Sequence, residues 1–193
     1  MTGNDIVDIA TAAAESNWHK EGFLEKIFTA QEQEYILTAT APDEMVWKLW
    51  SMKESAYKIY TRQYGGRFFS PKKISCTLIT ASAGRVLINN TCYHTITNIS
   101  KKYIYSIARP MESDLDSFMD CRFPISQTDN KEKQQFIYNK LISYYAKVSG
   151  KEKKTVEIIK DRNGIPFLHC SRDNSNIPVS ITHHGNYAAF TIY

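Results

Sequence analysis

Long hydrophobic runs are missing from this chain of 193 residues. No apolar stretch reaches the roughly 18–20 residues that a membrane-spanning helix requires, so we expect no membrane partner. The N-terminus has neither the basic nor the apolar region of a secretory signal. The cysteines are widely scattered without metal-ligand spacing, which indicates free thiols in a reducing cytoplasm. They are Cys76, Cys92, Cys121 and Cys170.

A strong charge excess is also missing. The net charge is +4, and the basic residues are spread along the chain. This mild bias suits phosphorylated ligands or an acidic protein partner. The charge and the 12 tyrosines leave open a nucleic-acid-binding domain. That alternative lacks a clustered Lys/Arg face and any recognised binding motif, so we expect no nucleic-acid partner.

Helical patterns are present in both parts of the chain. Helical material over 10–27 is followed by a helix at 29–37, which the capping-box pattern Thr29-Ala-Gln-Glu32 opens. The longest predicted helix, about 43–61, begins with proline and two acids and ends before Gly65-Gly66. A further amphipathic helix spans 131–148 and stops at a glycine.

Segments rich in β-branched and aromatic residues predict two sets of strands. The first set lies at 3–9, 73–80, 84–89 and 102–108. The second set lies at about 155–160, 165–169, 177–183 and 187–192. In each part of the chain, helical segments therefore accompany a few antiparallel strands.

This pattern divides the chain into two units. Residues 1–108 form a predicted N-terminal α+β half and 125–193 a C-terminal α+β half, joined by a proline-containing polar connector at 109–124. The predicted fold class is α+β, with two pseudo-symmetric halves that each pack a helix on a small antiparallel sheet. If the halves pair within one chain, a monomer is expected. In the other interpretation, 85–125 builds a subunit contact.

The helix predicted at 43–61 carries two charges within apolar stripes. At 3.6 residues per turn, Glu54 shares a stripe with Trp50 and Tyr57, and Lys53 interrupts the neighbouring stripe. Buried charges usually pair, bind a metal or face a cleft, because an unpaired one is costly. Spacing alone leaves a second interpretation open, in which Lys53 reaches water and Glu54 lies at the edge of the buried face.

A second carboxylate stands in a similar setting near the N-terminus. With a period of two, Asp5 shares a strand face with Val7 and Ile9. Asp5 and Glu54 are therefore candidate ligands for Mg²⁺, which prefers oxygen ligands and usually takes one or two protein carboxylates. Taken alone, an aspartate at this position is more often a turn or capping residue than a metal ligand.

Three motifs, in order over residues 3–58, resemble those of the phosphopantetheinyl transferases. Gly3-Asn-Asp-Ile-Val-Asp-Ile9 is similar to the opening motif, especially that of the small holo-acyl-carrier-protein synthases. Phe28-Thr-Ala-Gln-Glu32 is similar to the segment that follows it. Trp50-Ser-Met-Lys-Glu-Ser-Ala-Tyr-Lys58 resembles the second signature of the larger, surfactin-synthetase-activating type.

The C-terminal half adds a fourth element of the resemblance. Gly164-Ile-Pro166 and the segment 179–190 resemble a Gly-Lys-Pro turn and a Ser-His-Ser-Gly strand-turn of the larger type, where both lie in the N-terminal half. Here they come last. The order resembles the two halves of a large transferase exchanged, or that of the small synthase with an inserted segment.

The resemblance implies a Mg²⁺-dependent reaction in the cytoplasm. A serine hydroxyl of an apo acyl or peptidyl carrier protein attacks the β-phosphate of coenzyme A in line and releases adenosine 3′,5′-bisphosphate. Asp5 and Glu54 would bind Mg²⁺ at the diphosphate, while Lys53 and Lys58 would lie near the phosphates. Glu54 or a metal-bound water would take the serine proton. Fatty acid, polyketide and peptide synthesis all remain open as the pathway.

The resemblance also implies contacts to the nucleotide. Thr182 and His183 correspond to positions that contact the 3′-phosphate of coenzyme A. Ile165 replaces the lysine of the Gly-Lys-Pro turn, His184 replaces a serine, and Val7 stands where many larger enzymes have a third acidic ligand. These departures keep open a non-catalytic relative that binds coenzyme A or a carrier protein without turnover.

A carrier protein typically presents an acidic helix beside its serine, and the mild basicity of this chain suits such a partner. The candidate contacts are the residues around Ile27–Phe28 and the segment 62–73, which contains several basic residues.

Overall fold

Two antiparallel sheets of five strands each form the framework of the protein. The computed structural model describes residues 1–66, 68, 70–111 and 118–193. The first sheet contains β1 (Gly3–Asp8), β2 (Ile74–Leu78), β3 (Ala83–Ile88), β4 (Thr91–Ile99) and β5 (Tyr103–Pro110). The second contains β6 (Met119–Pro124), β7 (Val156–Lys160), β8 (Pro166–Cys170), β9 (Ser175–His184) and β10 (Tyr187–Ile192).

Side-chain caps begin three of the helices, at Asp8, Thr29 and Asp129. The helices in the described residues are α1 (Ile9–Glu15), α2 (Phe23–Ile27), α3 (Ala30–Thr38), α4 (Pro42–Tyr64) and α5 (Asn130–Ser149). Thr29 and Glu32 make both bonds of the predicted capping box, and Gly150 ends α5 in the left-handed conformation with φ of 71°. None of the described helices is long and apolar enough to cross a membrane.

The two halves have the same topology. The strand order is β1-β5-β4-β3-β2 in the first sheet and β6-β10-β9-β8-β7 in the second, so each strand of one sheet has a counterpart in the other. Each half runs from a first strand through helical structure into a four-stranded meander, whose last strand pairs with the first strand. The predicted α+β class with two pseudo-symmetric halves is confirmed.

Each half has its own core, and a small third cluster joins them. Helix α4 packs Leu49 and Ile59 among the buried residues of the first sheet, and α5 packs Leu141 among those of the second. Between the halves, Tyr103 and Tyr187 come from the equivalent strands β5 and β10, and their ring centroids lie 5.1 Å apart. The halves meet mainly where β1 packs against β9 and β10, and this aromatic pair lies beside that contact.

Two strands differ from the sequence-based expectation. Strand β4 was not predicted, because its inward face carries Thr95 and Thr97, 2% and 3% exposed, where an aliphatic pattern would have revealed it. Strand β6 lies in the segment expected to be a connector, and its charged Asp120 and Arg122 hid the strand pattern. Strand β5 also extends to Pro110, and residues 112–117 of the expected connector lie outside the described residues.

The helical material expected over 10–27 is two short helices, α1 and α2. Gly22 precedes α2 with φ of 79°, a conformation that interrupts a continuous helix. Between them, Trp18 donates its indole N–H to the Asp43 carboxylate at 2.6 Å, which attaches this linker to the start of α4.

Candidate metal and phosphate site between the two halves

Side chains of β9 close the free edge of β1. One edge of β1 pairs with β5, and along the other edge alternate backbone N–H groups donate to alternate side chains of β9. The pairs are Asn4 with Ser180 Oγ (3.2 Å), Ile6 with Thr182 Oγ1 (3.3 Å) and Asp8 with His184 Nδ1 (3.0 Å). Because unpaired buried N–H groups are costly, these bonds tie the C-terminal half directly to the strand that carries Asp5.

Asp8 anchors the turn between β9 and β10 to the start of α1. Its carboxylate accepts from the backbone and side chain of Thr11 and from the backbone and side chain of Asn186. Burial opposes ionisation, but these hydrogen bonds outweigh it and lower the pKa of Asp8. Gly185, with φ of 53°, fits against this carboxylate, since a Cβ there would lie 2.4 Å from Asp8 Oδ2. Asp8 therefore has a structural role.

Asp5 and Glu54 line one cleft of about 550 Å³, Asp5 from β1 and Glu54 from α4. The lining residues are Asp5, Trp50, Lys53, Glu54, Tyr57, Phe68, Ser70, Pro71 and Ile74. The structure thus brings together the two carboxylates that the sequence places 49 residues apart.

Asp5 is held by polar groups from three directions. Thr182 donates its hydroxyl to Asp5 Oδ1 at 3.1 Å, and Lys58 Nζ lies 3.4 Å from the same oxygen. Ser51 donates to the main-chain oxygen of Asp5 at 3.2 Å. Burial raises the pKa of Asp5, with the Lys58 charge and the hydroxyl groups opposing that rise. Because the Thr182 hydroxyl also accepts from Ile6 N, its hydrogen must point toward Asp5.

The environment of Glu54 also disfavours a bare negative charge. Burial raises the pKa of Glu54, and the charge of Asp5 raises it further, whereas Lys58 opposes the rise. A divalent cation would relieve this repulsion between two carboxylates. No group of three or more His, Cys, Asp or Glu suited to a metal occurs in the described part of the chain. The pair nevertheless fits Mg²⁺, which commonly uses only one or two protein carboxylates.

Lys53 lines the cleft, but its ammonium is engaged by groups of the protein. Its side chain is 1% exposed, and its ammonium forms an ion pair with Glu32 at 2.8 Å. The same nitrogen donates to the backbone carbonyl groups of Ile27, Pro71 and Ile74. This geometry leaves no N–H group for a phosphate and also differs from the interpretation in which Lys53 reaches water, because a buried acid and three carbonyls satisfy the ammonium.

Lys58 lies beside the carboxylates, and its charge also acts on His183. Lys58 Nζ donates to Asn4 O at 2.6 Å while it faces Asp5. Partial burial lowers the pKa of His183, and so do the nearby charges of Lys133 and Lys58. Lys133 lies in the first turn of α5. Sequence reasoning missed it, because only the packing of α5 in the core of the second sheet brings it near His183.

Thr182 and His183 point to opposite faces of β9. Thr182 faces β1, where its hydroxyl accepts from Ile6 N and donates to Asp5. His183 shares a face with Val179, which lies in the core that includes α5. The Thr182 hydroxyl is therefore engaged within the protein and orients Asp5, whereas the His183 side chain is exposed.

Removing the Thr182 hydroxyl is expected to weaken cation binding. Thr182→Val takes the hydrogen-bond donor from Asp5 and leaves the Ile6 N–H without its acceptor. Partners of metal ligands typically contribute 10–100-fold to affinity, so the Mg²⁺ concentration that half-saturates thermal stabilisation should rise about 10-fold. Thr182→Ser keeps the hydroxyl and should behave like the wild type. Equal Mg²⁺ responses of the valine and serine variants would contradict this role.

The cleft thus combines the buried Asp5 and the partly buried Glu54 with the Lys58 ammonium. The model of the ACPS family, described as the 4′-phosphopantetheinyl transferase superfamily, matches residues 1–108, which is more than half of the chain. The chain belongs to this superfamily. The matched segment contains Asp5, Glu54 and Lys58. No curated protein sequence matches the chain.

Solved structures of two holo-[acyl-carrier-protein] synthases are among those similar to the chain. The holo-[acyl-carrier-protein] synthase of Thermotoga maritima has 12% sequence identity and a TM-score of 0.44, over 88% of this chain and 82% of that one. The holo-[acyl-carrier-protein] synthase of Helicobacter pylori, in complex with coenzyme A, has 12% identity and a TM-score of 0.28, over 100% of this chain and 97% of that one. Since these values are low, membership of the superfamily rests on the family model.

Proposed function

We propose that the protein transfers the 4′-phosphopantetheine group of coenzyme A to a serine of an apo acyl or peptidyl carrier protein, with Mg²⁺ as cofactor. The observation that carries the proposal is the cleft in which Asp5 and Glu54, from two motifs of the superfamily, face one another beside Lys58. The superfamily supplies the reaction class, and the H. pylori relative is a complex with coenzyme A.

The residues of the cleft have distinct tasks in this reaction. Asp5 and Glu54 would hold Mg²⁺, which when bound neutralises charge on the diphosphate oxygens. Lys58 offsets charge on the leaving bisphosphate. Glu54 is the proposed acceptor of the serine proton, because its carboxylate faces the cleft in which the diphosphate would lie. The serine oxygen forms a bond to the β-phosphorus as the bond to adenosine 3′,5′-bisphosphate breaks.

The expected carrier contacts need revision. Ile27 and Phe28 are 7% and 0% exposed, so they belong to the core and offer no docking surface. Arg62 is engaged by Tyr193 and by the Val179 carbonyl, and residues 67 and 69 lie outside the described residues. Lys72 and Lys73, which are exposed beside the cleft wall, remain as candidate contacts for an acidic carrier helix.

Intact-protein mass spectrometry tests the proposal directly. An apo carrier incubated with the protein, coenzyme A and Mg²⁺ should gain the mass of one phosphopantetheine, and EDTA should abolish the gain. Both fatty-acid and peptidyl carriers belong in the test, because the chain does not identify its pathway. Coenzyme A binding without a mass gain on any carrier would favour the non-catalytic relative instead.

Loss of His183 or of the nearby Lys133 ammonium is expected to weaken binding of coenzyme A through its 3′-phosphate. His183→Ala and Lys133→Ala should each raise the KM for coenzyme A about 10-fold, since a charge-assisted hydrogen bond is removed. The KM for 3′-dephospho-coenzyme A should not change. Lys147→Ala, in the last turn of the same helix, is the matched control. An equal loss with both substrates would place these side chains elsewhere on the ligand.

A further inference from the structure

Two motifs of the superfamily meet in a buried ion pair beneath the cleft. Glu32 and Lys53 have side chains that are 0% and 1% exposed, and their charged atoms lie 2.8 Å apart. The second carboxylate oxygen of Glu32 accepts from the backbone N–H of Cys76 at 2.6 Å. Oxygen Oε2 also accepts from Thr29 N at 2.7 Å, as a capping box requires. Glu32 thus links the start of α3 to α4 and β2.

The Lys53 ammonium extends this link to the segment before β2. Its carbonyl acceptors belong to Pro71 at 2.9 Å, Ile74 at 2.6 Å and Ile27 at 3.2 Å. With the Glu32 carboxylate these are four acceptors for three N–H donors, so the ammonium is fully satisfied. The carbonyl groups of Pro71 and Ile74 flank the short 3₁₀ turn Pro71–Lys73, and Lys53 therefore fixes this turn on the side of α4.

The segment held in this way is one wall of the cleft. Ser70, Pro71 and Ile74 line the cavity that Asp5 and Glu54 face. Lys53 holds this wall from below through its two carbonyl bonds, and Glu54, the next residue of α4, faces the cavity. Two adjacent residues of α4 therefore define the cavity: Glu54 faces it, and Lys53 holds the Ser70–Ile74 wall in place.

We propose that Glu32 and Lys53 are positioning residues, which set the spacing between the Ser70–Ile74 wall and the Asp5–Glu54 pair and so determine the affinity for coenzyme A. This inference rests on the proposed function of the cleft. A structural ion pair alone is weak evidence for function, because buried pairs are often replaceable by apolar residues. Here Lys53 also donates to the carbonyl groups of Pro71 and Ile74, and an apolar side chain could not form these hydrogen bonds to the wall.

The experiment compares Glu32→Gln, Lys53→Met and the double variant, which leaves no unpaired buried charge if a single variant fails to fold. Each should raise the KM for coenzyme A about 10-fold, as displacement of a substrate-binding wall does. The turnover number should stay within about threefold, and the Mg²⁺ requirement should not change, because Asp5 is held by other residues. The two single effects should not add in the double variant.

Lys48→Met is the matched control. Lys48 is also buried on α4, at 4% exposure, and donates to one loop carbonyl, that of Ala81 at 2.9 Å. It does not line the cleft, so its loss should leave the KM for coenzyme A unchanged. The Cys76 amide donates its N–H directly to Glu32. Its rate of hydrogen exchange therefore reports release of the Ser70–Ile74 wall in the Glu32 and Lys53 variants.

Three results separate the possibilities. A fall in turnover for Lys53→Met with no effect of Glu32→Gln would make Lys53 a phosphate ligand and overturn the inference. Faster exchange of the Cys76 amide with an unchanged dissociation constant for coenzyme A would overturn it in favour of a purely structural pair. If the wild type transfers no phosphopantetheine, the proposed function fails separately, and calorimetric binding of coenzyme A still decides whether the pair sets affinity.

Discussion

Replacement of Glu54 by glutamine is expected to lower kcat about 10³-fold, with a much smaller effect on the binding of coenzyme A. Glutamine keeps the shape of the side chain but lacks the charge that would hold Mg²⁺ opposite Asp5. It also cannot accept the serine proton. Single-turnover transfer to a carrier protein, measured beside calorimetric binding of coenzyme A, separates the two effects. Retention of most of the activity would contradict both assigned roles of Glu54.

Glu54→Gln is expected to stabilise the metal-free protein although it lowers the activity. The pKa of Glu54 is raised in the folded protein, so its folded state holds a proton that the unfolded chain has released. Its contribution to stability is therefore present at low pH and is lost as pH rises from the ordinary pKa to the raised one. In EDTA at about pH 8, Glu54→Gln should melt at a higher temperature than the wild type, and at about pH 4 this gain should shrink.

Mg²⁺ should reverse this order. It binds the folded wild type and raises its melting temperature, whereas the variant has lost one of its two ligands. Glu44→Gln, exposed in the first turn of α4, is the control and should show neither the stability gain nor the loss of turnover. A wild-type melting temperature that does not respond to Mg²⁺ would refute the metal site itself.

Gly3→Ala is expected to destabilise the protein by about 2–3 kcal/mol and to impair transfer. Strand β1 packs directly on α4, and an alanine Cβ at this position would lie 2.1 Å from the backbone oxygen of Ser55 and 3.0 Å from Ile59. A helix carbonyl cannot move aside as a flexible side chain can. Relief of the clash must therefore separate β1 from α4, and with them Asp5 from Glu54.

Urea denaturation and Mg²⁺ titration measure the two consequences of Gly3→Ala. Gly22→Ala is a useful control, because Gly22 has φ of 79° with nothing within 4 Å of the added Cβ. It should cost only about 1 kcal/mol through backbone strain and should leave Mg²⁺ binding intact. Equal stability of the two variants would show that β1 and α4 tolerate a wider spacing.

The sequence marks both carboxylates of the proposed metal pair as candidates. Asp5 interrupts an apolar strand face and Glu54 an apolar helix stripe, and both lie in motifs that resemble those of the superfamily. The capping box at Thr29 and the long helix α4 are predicted for local reasons, and the structure confirms both. Strands β4 and β6 escape prediction because threonine and charged side chains weaken the alternation that marks a strand.

Lys53 and Glu54 are neighbours in the signature, but the structure gives them different surroundings, which their spacing did not predict. Lys53 and Glu54 differ by about 100° around α4, and both stand in apolar surroundings. The sequence predicts that such charges require partners, but it does not say which element provides them. Glu32, on another helix, pairs with Lys53, whereas the side chain of Glu54 lines the cleft.

Local composition by itself determined the helices, most of the strands and the two-half organisation, because periodicity and capping act over a few residues. It also identified Asp5 and Glu54 as charged residues on otherwise apolar faces. Only the tertiary structure decided that Thr182 orients Asp5, since 177 residues separate them along the chain. It likewise decided that Lys133 lies near His183. The reason is physical: the free edge of β1 and the buried ammonium each required partners, and only packing of the halves and helices selected them.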